Sequence, residues 1–148
     1  MAWNDLDIYV ENDAMCRKKL YQLTSYILGR FMPVWYEAKE EKNELGALAW
    51  FHGFEFYLED ALWNVDIWFF DNPTIQKAEK YCAAISEKVQ KDQTLRTAIL
   101  NIKQDLIGRH LYPSAPYTSM DVYDAVLNQG VRNTEEFFTV YAAGRKGL

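Results

Sequence analysis

His52, Glu55 and Glu59 stand at i, i+3 and i+7, and Asp66 follows seven residues after Glu59. On one flank of a helix that spacing gathers an imidazole and carboxylates, the groups that hold a divalent metal or carry general acid–base steps. Helical di-metal bundles take Glu-x-x-His pairs from two helices. Here the order is His-x-x-Glu, it occurs once, and His110 is far away in sequence. His52, Glu55 and Glu59 therefore stand as metal candidates only, with no catalytic residue and no cofactor assigned. Nucleophile and phosphate motifs are missing: there is no Gly-x-Ser-x-Gly, Walker loop, Gly-x-Gly-x-x-Gly, His-Glu-x-x-His or Cys-x-x-Cys. Ser25, Ser86, Ser114 and Ser119 are scattered, and none adjoins a histidine.

A different chemistry is concentrated between residues 43 and 76, which contain no lysine and no arginine. The stretch carries Glu44, Glu55, Glu59, Asp60, Asp66 and Asp71 among Trp50, Phe51, Phe54, Phe56, Tyr57, Trp63, Trp68, Phe69 and Phe70. Acids attract a basic surface, and Trp and Tyr are frequent binding anchors. Read as a helix, the stretch buries Phe54, Ala61 and Trp68 on one side. It lines up Phe56, Trp63 and Phe70, seven residues apart, on the other. The expected partner-binding residues are Phe56, Glu59, Asp60, Trp63, Asp66 and Phe70.

The function expected from this pattern is non-enzymatic. It is an intracellular protein whose acidic, aromatic-rich helical face binds or blocks a protein partner with a basic surface, in the manner of an immunity protein, inhibitor, anti-defence protein or adaptor. The alternatives are a small helical enzyme or metal protein centred on His52, Glu55 and Glu59, and a structural homo-oligomer.

Composition narrows the field further. The chain has 148 residues, 49% of them hydrophobic and 16% aromatic, with a net charge of −5. An acidic whole disfavours direct nucleic-acid binding, which needs clustered basic residues. Arg17, Lys18 and Lys19 read as a solvated helix face. The segment from Met120 to Tyr141 has a helix–Gly–helix outline, but its second helix opens Thr-Glu-Glu, which would repel phosphates. No signal peptide and no membrane span are expected, because the apolar run from 47 to 70 is broken by charged side chains. Cys16 and Cys82 are expected as buried thiols in a reducing cytoplasm.

The elements that must position these groups read as all-α, a single helical-bundle domain of about six helices. The expected helices are a kinked one at 13–42, the aromatic helix at 44–70, then 73–91, 93–108, 119–129 and 133–143. Residues 40–44 read as a polar turn, 109–118 as a proline loop and 144–148 as a fraying tail. Asn72-Pro73 starts a helix whose Ile75, Ala78, Cys82, Ile85 and Val89 form a core stripe. Asp92, Thr118 or Ser119, and Asn133 serve as caps, and Gly130 as a left-handed stop. The alternative is α+β, with a small sheet from 5–10, 53–59 and 64–70. Leu6-Asp-Ile-Tyr-Val10 and Val65-Asp-Ile-Trp-Phe69 resemble one another and favour strands. Helix is preferred because residues 58–63 contain no hairpin turn dipeptide.

Overall fold

The computed structural model describes residues 4–42, 48–112 and 116–144, the last three of these by backbone alone. Part of the expected 40–44 turn, the middle of the proline loop and the terminal tail lie outside them. The order is β1 (Asn4–Glu11), α1 (Arg17–Phe31), β2 (Trp35–Lys42), β3 (Leu48–Leu58), β4 (Ala61–Phe70), α2 (Asn72–Lys91), α3 (Gln93–Gly108), α4 (Ser119–Asn128) and α5 (Thr134–Gly144). The fold is α+β, which corrects the all-α helical bundle expected above. The described residues form two compact units that divide within α2, between Lys80 and Tyr81.

The first unit is built on a four-stranded mixed sheet in the order β1-β4-β3-β2. β1 runs parallel to β4, while β4–β3 and β3–β2 are antiparallel. The expected 44–70 helix is thus a hairpin of β3 and β4, and the far half of the expected 13–42 helix is β2. Two causes account for the difference. Trp, Phe, Tyr, Val and Ile dominate both arms, and such side chains fit a pleated surface better than a crowded helix. Second, the hairpin closes through Glu59 and Asp60 rather than Asn-Gly. Leu58 pairs with Ala61, and Glu59 and Asp60 take φ of 50° and 63°. Both central residues are therefore left-handed, as a type I′ turn requires.

β1 and β4 explain the likeness of their sequences. Leu6 pairs with Val65, Asp7 with Asp66, Ile8 with Ile67, Tyr9 with Trp68 and Val10 with Phe69. Each residue lies beside its counterpart, so apolar positions stack on apolar positions and the two aspartates become neighbours.

Helix α1 covers one face of the sheet. Its Leu20 packs with Trp50 and Phe69, and its Ile27 with Phe54 and Val65. Phe31 adds ring contacts to Phe54 and Phe56 at 5.2 and 5.1 Å. Burying each such side chain contributes about 1.5–3 kcal/mol. Met32 ends the helix in the left-handed region, its N–H donating to the Leu28 carbonyl.

In the second unit α3, α4 and α5 pack around Ile102, Leu106, Val122, Ala125, Val126 and Phe137, each at most 1% exposed. Asp92 caps α3 by accepting from the Thr94 N–H at 2.9 Å. Thr118 and Asp121 form a capping box on α4, and Asn133 accepts from the Glu136 N–H at 3.0 Å. Gly130 has φ of 74°, the left-handed geometry that glycine adopts without cost. The α2 stripe does not form a buried face: no residue of that helix is buried. Cys16 and Cys82 are free and exposed rather than buried.

Candidate functional site

Strand alternation sorts the expected site residues onto different surfaces. Phe56 and Trp63 are cross-strand partners on the α1 side, where Phe56 packs against the Ile27–Phe54–Val65 cluster. Asp66 and Phe70 lie on the other side, here called the outer face. Glu59 and Asp60 occupy the exposed hairpin tip beside Tyr57, Leu58 and Leu62, which are 63%, 51% and 41% exposed. The helical face proposed from sequence therefore does not exist. Its six residues are divided among two faces and a turn.

The metal candidates separate as well. His52 is completely buried against α1, Glu55 is three residues along the same strand and so on the outer face, and Glu59 is in the turn. No described group of three or more His, Cys, Asp or Glu could hold a metal ion. His52 has a structural partner instead. Thr24 donates to the Leu20 carbonyl at 2.9 Å, and Tyr36 donates to Thr24 at 2.7 Å. With the Tyr36 proton so used, the 2.8 Å contact requires His52 Nδ1–H to donate to the Tyr36 oxygen. Nε2 is then a bare lone pair, and it has no hydrogen-bond partner among the described residues. Burial pulls the imidazole pKa down to about 4, so the ring is neutral. The relay ties β3 and β2 to α1.

The outer face brings together residues that the sequence pattern scattered. Asp5, Asp7 and Glu11 come from β1, Glu37 and Glu41 from β2, Glu55 from β3 and Asp66 from β4. The four strands contain two lysines and no arginine, and of these only Lys39 is on this face. Lys39 contacts Glu37 at 3.9 Å and Glu41 at 3.4 Å.

Two rows cross this face side by side. One runs Lys39, Phe51, Trp68 and Tyr9, and the other Glu37, Gly53, Asp66 and Asp7. In the aromatic row the Lys39 ammonium stands 5.1 Å from the Phe51 ring and 5.7 Å from the Trp68 ring. Trp68 stacks on Phe70 at 5.1 Å, and Tyr9 meets Phe70 edge-on at 5.7 Å. In the acid row Gly53 leaves room that the rings of Phe51 and Trp35 occupy. A Cβ there would come within 2.6 Å of Phe51 and 3.0 Å of Trp35. Burial, then the charges of Asp7 and Asp5, push the Asp66 carboxyl up to about 6, with Glu37 adding to the rise. The Asn64 amide, which also donates to Asp5 at 2.9 Å, opposes it.

The resulting surface carries rings flanked by carboxylates, with Tyr9, Trp35 and Tyr57 between 40% and 63% exposed. Its chemistry suits an ammonium or guanidinium: Lys39 already lies over two rings between two carboxylates. The row could have been found in sequence only by reading Leu6–Val10 and Val65–Phe69 as paired strands. Compared with known proteins, the chain matches no family model, no curated protein and no solved structure. Among the described residues no helix is long and apolar enough to cross a membrane.

Proposed function

We propose that this protein binds the basic surface of a protein partner through the outer face of its sheet. One observation carries the proposal: carboxylates from all four strands, with a single lysine, lie beside an aromatic row. Neighbouring carboxylates repel, and the strain at Asp66 is relieved when a cation arrives. The rings supply apolar area that slows release once water is excluded. The exposed tip at Tyr57, Leu58, Glu59 and Asp60 extends the same combination of ring and acid beyond the sheet. Self-association through this face is disfavoured, because an isologous pairing sets acids against acids. An inhibitor, immunity or adaptor role fits such a surface, and two free thiols fit a reducing compartment.

The test is capture from the native host with the wild-type chain and with Glu37→Lys/Glu55→Lys. The expected result is one specific partner, retained by the wild type at low salt and lost by the charge-reversed protein. A partner held equally by both proteins overturns the proposal.

A further inference from the structure

In the second unit, Lys103 of α3 is half-buried and has no carboxylate in salt-bridge range among the described residues. Its ammonium is held by hydroxyls and ring faces instead. Nζ donates to Ser119 Oγ at 3.2 Å and to Tyr123 Oη at 3.0 Å. It lies 5.4 Å from the Tyr112 ring and 4.5 Å from the Tyr123 ring. Buried Tyr112, 7% exposed, places its hydroxyl 2.6 Å from Ser119 Oγ. Burial, the largest single influence, pulls the Lys103 pKa down, but the Tyr123 and Tyr112 hydroxyls together outweigh it and the net direction is up. Lys103 is therefore a cation and cannot serve as a general base for Ser119.

Proton counting shows what the cluster lacks. An ammonium has three N–H groups and no acceptor. Two of them go to Ser119 and Tyr123, and the Tyr112 hydroxyl also hydrogen-bonds the ammonium. Each of those hydroxyls accepts from Lys103 and keeps its own proton. If Tyr112 donates to Ser119, then Ser119 O–H and Tyr123 O–H are donors without an acceptor in the cluster. Ser119 and Tyr123 are i and i+4 on one side of α4, so these donors surround one nitrogen. At the start of α4 the Thr118 and Asp121 amides are taken by the capping box.

We propose that Lys103, Ser119 and Tyr123 form a binding site for a small oxyanion, a phosphate or carboxylate group, with Tyr112 positioning Ser119. A cation with converging hydroxyl donors and no counter-ion is the complement of such a group. The site is separate from the acidic sheet face and does not depend on the function proposed for it.

The experiment is titration of the full chain with inorganic phosphate and, separately, with acetate. Ionic strength is held constant with sodium chloride, and backbone and lysine ammonium signals are followed by NMR. Saturable shifts centred on Lys103, Ser119 and Tyr123 are expected. Affinity should fall about tenfold in Lys103→Gln, which loses a charged hydrogen bond. Tyr123→Phe removes one hydroxyl at nearly constant shape and should weaken binding several-fold, which keeps the test open if Lys103→Gln folds poorly. Saturation by phosphate alone identifies a tetrahedral anion as the ligand class, and saturation by both anions a carboxylate-type site. Absence of saturation by either anion, or titrations unchanged in Tyr123→Phe, would overturn the proposal.

Discussion

Asp66→Asn should make the first unit more stable at neutral pH. The Asp66 carboxyl rises from 3.8 to about 6 because it is partly buried and faces Asp7 and Asp5. At about 1.4 kcal/mol per pH unit, that rise corresponds to about 3 kcal/mol. The group is only half-buried, so solvent screening reduces the usable part to about 1–2 kcal/mol. The sign follows from linkage. A carboxyl whose folded pKa is raised favours folding while protonated, fully so below 3.8, and that advantage disappears as pH rises through about 6. Asparagine keeps the shape, can still accept from Asn64 and carries no charge. The variant should therefore gain about 1–2 kcal/mol over wild type at pH 8, with the difference shrinking towards zero near pH 4. Urea unfolding followed by tryptophan fluorescence is the assay. All five tryptophans precede residue 80, so the signal reports the first unit. Taking the difference between the two proteins also cancels the titration of His52. Equal or lower stability of Asp66→Asn at pH 8 would refute the view that the acid row strains the sheet.

Three further outcomes follow from the same geometry. His52 is buried neutral with its pKa lowered from 6.5 to about 4, so its contribution to stability should be lost as pH falls through that window, by about 3 kcal/mol, against the opposite contribution of Asp66. His52→Phe should remove that contribution, and a slope equal to wild type in fluorescence-monitored unfolding refutes the assignment. Gly53→Ala forces the Phe51 and Trp35 rings aside and should cost about 1–3 kcal/mol, read as a lower urea midpoint. A midpoint equal to wild type contradicts it. Glu59→Asn/Asp60→Gly supplies residues that accept positive φ, and should stabilise the hairpin by about 1 kcal/mol while weakening partner capture. Thermal melts and the capture assay read the two effects separately.

The helices of the second unit carry period-3.6 apolar patterns and local caps at Asp92, Thr118 and Asn133, signals that sequence alone displays. The sheet was hidden by a coincidence of periods. A spacing of seven keeps Trp63 and Phe70 on one side of a helix but sends them to opposite faces of a strand. A spacing of three does the same to His52 and Glu55. The decisive turn, Glu59-Asp60, lacks the usual residues because its left-handed geometry is imposed by strand pairing rather than by local preference. The acidic, aromatic character of the site was legible, but its membership was not. Asp7, Glu37 and Lys39 reach Asp66 and Trp68 only through long-range register.

A photo-reactive phenylalanine analogue at position 57 or at position 21 would test the outer face most directly. Tyr57 is 63% exposed and two residues from Glu55 along the same side of β3, and Tyr21 is 66% exposed on the helix that covers the opposite face. After irradiation in extract of the native host, the probe at 57 should form one covalent adduct with a basic protein, and added salt should suppress it. An adduct formed from position 21 and not from position 57 would contradict the account.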